Sequence, residues 1–207
     1  MKSFFLILIA GVILSVGNGF RMSLGIYVPD LLASTVFSAS LIGLTYGIFN
    51  FLWGAMSPIA GAFAEQKGYV KTLSVGFIGI ALSFYVTSSA ISPTHFLLGL
   101  GVIGGLSAGI ISVPVIIGGV SKYFDDDKTR STVTGILMSL AASGMFIFTP
   151  INQFLVTTFQ WSLSFQITAV FFLFLVPLSL IFLIPKSDKK IKQKFTQRKI
   201  SDVIKQA

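Results

Sequence analysis

Apolar residues fill this chain in long unbroken runs, with neither the alternation of a half-buried strand nor the single stripe of a soluble helix. A hydrocarbon core of ~30 Å asks for about 20 such residues per helix, and six runs meet that length. They cover 4–29, 40–62, 72–92, 95–118, 132–156 and 163–185. The breaks between them read ASTVFSAS, AEQKGYVK, SPTH, SKYFDDDKTRS and TTFQWS, and a polar tail opens at Lys186. This pattern predicts an all-α integral membrane protein, with a six-transmembrane-helix bundle over residues 1–185 and a basic cytoplasmic tail over 186–207.

Composition agrees with lipid as the solvent. Hydrophobic residues make up 54% of the chain and charged residues only 11%, far from the balance of a soluble domain. The net charge of +8 does not imply a nucleic-acid partner, because over half of the Lys and Arg lie in the tail, beyond the last apolar run. Cysteine is absent and His95 is the single histidine, which excludes disulfides, thiol chemistry and a histidine or cysteine metal site. No nucleophile with its base, phosphate loop or metal-ligand set stands on any break, so neither an enzyme nor a cofactor is expected.

The cations fall on alternate breaks. Lys2 precedes the first run, Lys67 and Lys71 lie in the second break, Lys122, Lys128 and Arg130 in the fourth, and the rest in the tail. The first, third and fifth breaks hold none. Positive charge stays on the cytoplasmic side, so both termini are expected there, in a bacterial inner (plasma) membrane. The start, MKSFFLILIAGVILSVG, also has the form of a signal peptide, but its apolar run continues to Val28 and cleavage would leave five spans. The tail spaces Ile191, Phe195, Ile200, Val203 and Ile204 as an interfacial helix would, and fits a solvated end equally well.

One cation departs from this order. Counting from Phe4, Arg21 lies roughly 25 Å along a first helix of about 37 Å, past the middle of the bilayer. An unpaired guanidinium at the bilayer centre costs about 2.5–3.5 kcal/mol on the insertion scale, so Arg21 either faces a wet cavity or snorkels to the outer headgroups. In the cavity reading it attracts the carboxylate of an organic anion, which its planar fork can hold through two oxygens. Asn18, Ser23, Tyr46 and Asn50 are the neutral groups placed to help, and Trp53 either packs or stacks on the ligand.

The second break carries GAFAEQKGYVKTL. A glycine, an acid four residues on, another glycine and a basic residue in this order resemble the signature loop of the major facilitator superfamily, G-x-x-x-D-R-x-G-x-R-R, which joins that family's second and third helices. Gly61, Glu65, Gly68 and Lys71 match, whereas Glu65 replaces an aspartate, and Gln66 and Val70 stand where the pattern has basic residues. Gly61 suits close helix approach, Gly68 a turn with φ > 0, and Glu65 a contact with a helix N-terminus or a basic residue.

Further stretches resemble the monocarboxylate and oxalate:formate carrier branch of that family. These are R-x-S-x-G at Arg21, Ser23 and Gly25, the run GVIGGLSAGIISVP leading to SKYF, RSTVTGI before the fifth helix, and QWSLSF, similar to the family's G-W-R-x-x-F before the sixth. Gly101, Gly104, Gly105 and Gly109 offer small faces for sliding or for static packing, and Pro58, Pro114 and Pro150 can kink their helices. The echo of GIYVP (25–29) in GIISVP (109–114) fits two inverted three-helix repeats.

The resemblance implies the N-terminal six-helix half of a twelve-helix fold, a carrier of small solutes, with organic anions such as monocarboxylates expected. The second half, a partner half or a homodimer would complete the path. Two other readings fit the span count: a six-helix substrate-binding subunit of a vitamin transporter, and a truncated fragment without function. The orientation is testable by single-cysteine labelling in sealed vesicles. Cysteines at positions 67 and 128 should both react from the cytoplasmic side alone, and labelling from opposite sides would overturn the topology.

Overall fold

The computed structural model describes residues 2–34 and 36–183, so the basic tail over 186–207 lies outside the described residues. Five uninterrupted helical stretches are long and apolar enough to cross a membrane: α1 (Phe4–Ala33), α2 (Ala39–Lys67), α3 (Tyr69–Ser88), α4 (Pro93–Ser121) and a last stretch, Asp127–Phe182, of 56 residues. At 1.5 Å per residue that last stretch would extend about 84 Å, nearly three bilayer cores. It instead doubles back at Gln160, where the backbone leaves the helical region with φ 60° and ψ 172°. Phe148 and Phe171, on either side of Gln160, bring their ring centroids within 6.3 Å, which only a hairpin allows. The stretch therefore divides into α5 (127–159) and α6 (161–182), giving six crossings.

Several breaks are shorter than the sequence suggests. α2 runs on through Ala64–Lys67 and α3 starts at Tyr69, so the second break shrinks to Gly68. Gly68 adopts φ 100°, a backbone region closed to most side chains. α5 begins within the DDD run. Asp126 caps it, its Oδ2 accepting from the Thr129 amide and hydroxyl, both at 2.9 Å. These bonds, the amide's first, hold the Asp126 carboxyl below its ordinary pKa. The cap is thus intact at neutral pH and released as pH falls through that lowered value.

Two parallel pairs form the frame. In α2 and α4, Gly101 faces Thr45, Gly105 faces Phe49 and Gly109 faces Trp53, both helices advancing by one turn per step. In α1 and α5, Gly19 abuts the Gly144 carbonyl, Gly144 abuts Ser15, and the Ser15 hydroxyl donates to the Leu140 carbonyl. A Cβ at Gly105 would sit 2.7 Å from the Phe49 carbonyl oxygen, and one at Gly19 2.6 Å from that of Gly144. Backbone cannot yield as a side chain does, so these contacts set the helix separation. α3 packs antiparallel to α4, with Thr87 by Gly99 and Gly79 by Ser107.

Between the pairs lies an aromatic core. Phe20 of α1 meets Phe148 at 4.8 Å, Phe172 at 5.3 Å and Phe84 at 6.4 Å between ring centroids. Dispersion drives such packing here, since lipid tails are as apolar as the rings.

Both members of the sequence echo mark helix distortions. α1 passes into a 3₁₀ turn over Leu24–Tyr27, and Pro29 opens the helical segment that follows. α4 breaks at Ile111–Ser112, and Pro114 lies in the first turn of Val113–Ser121 rather than in mid-helix. Pro58 and Pro150 are internal to α2 and α5. α4 also carries a π-helical run over Leu97–Gly104, a rare winding that is frequent at functional sites.

Gln160 stands where the resembling G-W-R-x-x-F pattern has glycine, and its backbone takes a conformation that glycine alone adopts freely. Gln160→Gly should raise the stability of the purified protein by about 1 kcal/mol in thermal unfolding, with no effect expected from Gln160→Ala. A loss of stability on Gln160→Gly would show that the hairpin is not strained there.

Candidate functional site

Arg21 lines a cleft between α1, α2, α3 and α4 together with Asn18, Trp53, Ser83 and Ser112, with Phe172 of α6 also in its wall. Its Nη1 donates to Asn50 Oδ1 at 3.0 Å, its Nη2 donates to Asn18 Oδ1 at 3.1 Å, and its guanidinium lies 4.2 Å from the centroid of the Trp53 ring. Trp53 is therefore stacked on the arginine rather than free for a ligand, through a cation–π contact. Spacing could have signalled this, since Asn50 and Trp53 are three residues apart on one helix face.

The two amides are themselves fixed. Asn18 Nδ2 donates to the Ala141 carbonyl at 2.9 Å and Asn50 Nδ2 to the Tyr46 carbonyl at 2.8 Å. Two of the five guanidinium N–H groups are used, which leaves three without a protein acceptor. Among the described residues the ion pairs are Lys122–Glu65 and Arg130–Asp127, so the charge of Arg21 is hydrogen-bonded without being neutralised. The cleft encloses a cavity of about 30 Å³, room for about two waters.

Tyr46 and Ser23, expected beside Arg21, serve the backbone instead. The Tyr46 hydroxyl donates to the Leu24 carbonyl at 2.7 Å, in the 3₁₀ turn. The Ser23 hydroxyl, buried, donates to the Gly19 carbonyl at 2.8 Å and accepts from Asn152 Nδ2 at 2.5 Å. Asn152 escaped the sequence reading because one asparagine in an apolar run carries no spacing signal.

A second cluster joins the helix ends where the loop cations gather. Lys122, after α4, places Nζ 3.3 Å from Glu65 Oε1 and 4.9 Å from the Tyr69 ring centroid. Tyr69, directly after Gly68, stacks on Phe182 of α6 at 6.1 Å, and the Tyr123 hydroxyl donates to the Phe182 carbonyl at 3.3 Å. Glu65 thus meets a basic residue from another helix. Lys71 is exposed and outside both ion pairs. Gly61 does not serve close approach within this bundle, since nothing lies within 4 Å of where its Cβ would be. The acidic run is exposed but ordered at the start of α5: Asp126 caps the helix, and Asp127 pairs with Arg130 at 3.4 Å.

Six apolar crossings, with an arginine gripped between the first two and a salt bridge from the end of α2 to the end of α4, describe an integral membrane helix bundle. The sequence model of the Major Facilitator Superfamily matches residues 4–206, and the chain belongs to that family. It is similar to mouse monocarboxylate transporter 11, with 27% identity over 143 residues, 69% of this chain and 31% of the relative. It is also similar to mouse monocarboxylate transporter 12, with 30% identity over 105 residues, 51% of this chain and 21% of the relative. A yeast relative, the riboflavin transporter MCH5, is 23% identical over 111 residues, 54% of this chain and 21% of that protein. The matches thus span a third or less of these relatives' length.

The Glu65–Lys122 pair is partly solvated, with side chains 61% and 30% exposed. A double-mutant cycle with Glu65→Gln and Lys122→Met should give a coupling of about 0.2–1 kcal/mol in thermal unfolding, shrinking with added salt. Zero coupling at low ionic strength would mean that the pair does not hold the helix ends together.

Proposed function

We propose that this chain supplies half of a carrier for small organic anions such as monocarboxylates, working by alternating access around Arg21. The supporting observation is the guanidinium itself: pinned by two asparagines and a tryptophan inside the membrane region, it keeps three donors and its full charge for a ligand. A carboxylate can take two of those donors side by side, at the strength of charge-assisted bonds. The apolar wall of the cleft suits a short hydrocarbon tail. The names of the two mouse relatives accord with this substrate class.

The other half of the path lies beyond the six spans. α2 is the least covered helix, with 17% of its apolar window buried against 39–61% for the other four stretches. Gly43, Gly47, Gly54 and Gly61 have open space within 4 Å, and at 100° per residue they lie within about 40° of one another, on the side away from α4. A second six-helix domain, from a partner half or a second copy, would close over this face and complete the site. The segregation of cations supports both termini on the cytoplasmic side, with 186–207 opening the link between halves.

The test uses the full protein reconstituted in liposomes with radiolabelled lactate as the probe. A charge-assisted bond contributes about 1.5–3 kcal/mol, so Arg21→Gln should weaken lactate binding roughly 10- to 100-fold. An unchanged affinity and uptake would end the anion-site reading.

A further inference from the structure

Asn152 has no exposed surface, yet it touches neither the cleft nor the loop cluster. Its amide spans the 3₁₀ turn of α1. Nδ2 donates to Ser23, the residue at which α-helical winding stops, and Oδ1 accepts from the hydroxyl of Tyr27, the last residue of the turn, at 3.2 Å. Tyr27 is itself 1% exposed and packs on Phe165 of α6 at 4.5 Å. One side chain of α5 thus ties both ends of the distorted segment, two residues after Arg21.

The winding matters for where Arg21 points. Four residues wound at 120° instead of 100° each turn the rest of α1 by about 80° relative to an unbroken α-helix. Releasing the turn would rotate Arg21 against the part of α1 beyond it, where the Tyr27 ring packs on Phe165. The guanidinium would then leave Trp53 and Asn50, which belong to another helix. A buried amide with satisfied bonds is suited to hold such a choice, because any slip leaves polar groups unpaired in hydrocarbon.

We infer that Asn152 is a positioning residue for anion binding, fixing the 3₁₀ turn of α1 and through it the orientation of Arg21 over Trp53. The inference rests on the anion reading of Arg21 for its role in transport, but not for its geometry. Movement of α5 along α1 would be felt at the anion site through this amide, without contact between Asn152 and the ligand.

The indole of Trp53 gives a readout that stability alone does not move. In a Trp161→Phe background Trp53 is the sole tryptophan, and Arg21→Gln defines the emission of the unstacked ring. Asn152→Leu should produce the same emission shift with helicity retained, and Tyr27→Phe and Ser23→Ala, each removing one of the two bonds of the Asn152 amide, should shift it in the same direction. If Asn152→Leu fails to fold, those two variants carry the test. Parent-like emission in the folded variants would overturn the inference.

In liposomes Asn152→Leu should weaken lactate binding by as much as Arg21→Gln does, roughly 10- to 100-fold, and should weaken it no further in an Arg21→Gln protein. A full additional loss in the double variant would also overturn it. Should Arg21→Gln itself leave lactate binding intact, the anion reading fails while the Trp53 emission still judges the positioning role.

Discussion

Hydrocarbon offers no water to complete a hydrogen bond, and this constraint orders most of what the structure does with its polar groups. Among the described residues no buried side-chain nitrogen or oxygen lacks a partner. Each departure from regular α-helix has side chains assigned to it. Tyr46 takes the Leu24 carbonyl in the 3₁₀ turn, Ser83 donates to the Gly99 carbonyl in the π-helical run at 2.8 Å, and Ser57 joins Ser112 at the break in α4 at 2.7 Å. Distortions that would be ruinous in lipid become fixed shapes, and the cleft is bounded by three of them.

The same constraint explains the treatment of the one intramembrane cation. A carboxylate partner would have neutralised Arg21 and left little for a ligand. Amides and an aromatic face hold the guanidinium in place and leave its charge available. Their supports come from different helices: Asn18 leans on α5, Asn50 stays on α2, and Trp53 projects from α2. The site is therefore a junction between the two parallel pairs, and a shift of one pair against the other changes its geometry.

The spans, the isolated arginine and the tight glycine of the α2–α3 connection were legible in the sequence because length, charge and the need for φ > 0 are local properties. The six crossings fell near their expected places, although loops such as AEQKGYVK were absorbed into helices once capping and packing extended the ends. The partners of Arg21 were only half legible. Asn18 and Asn50 share its level by helical spacing, but whether Ser23 turns to the cleft or to α5 depends on Asn152, which is distant along the chain. The close approach of Gly19 to Gly144 and the pairing of Lys122 with Glu65 were hidden for the same reason, since a contact between remote residues leaves no mark on a periodicity. Gln160 shows the reverse case: the break was readable, but the strained residue within it could be identified only from the backbone.

The parallel pairing of α1 with α5 has a consequence for biogenesis. Ser23 waits for Asn152, 129 residues later in the chain, and at about 5–20 residues per second of synthesis that is a delay of roughly 6–26 s. Throughout that interval Ser23 has only carbonyls of its own helix, whereas Arg21 gains Asn50 and Trp53 as soon as α2 is made, so the cation is seated well before the turn beside it is fixed.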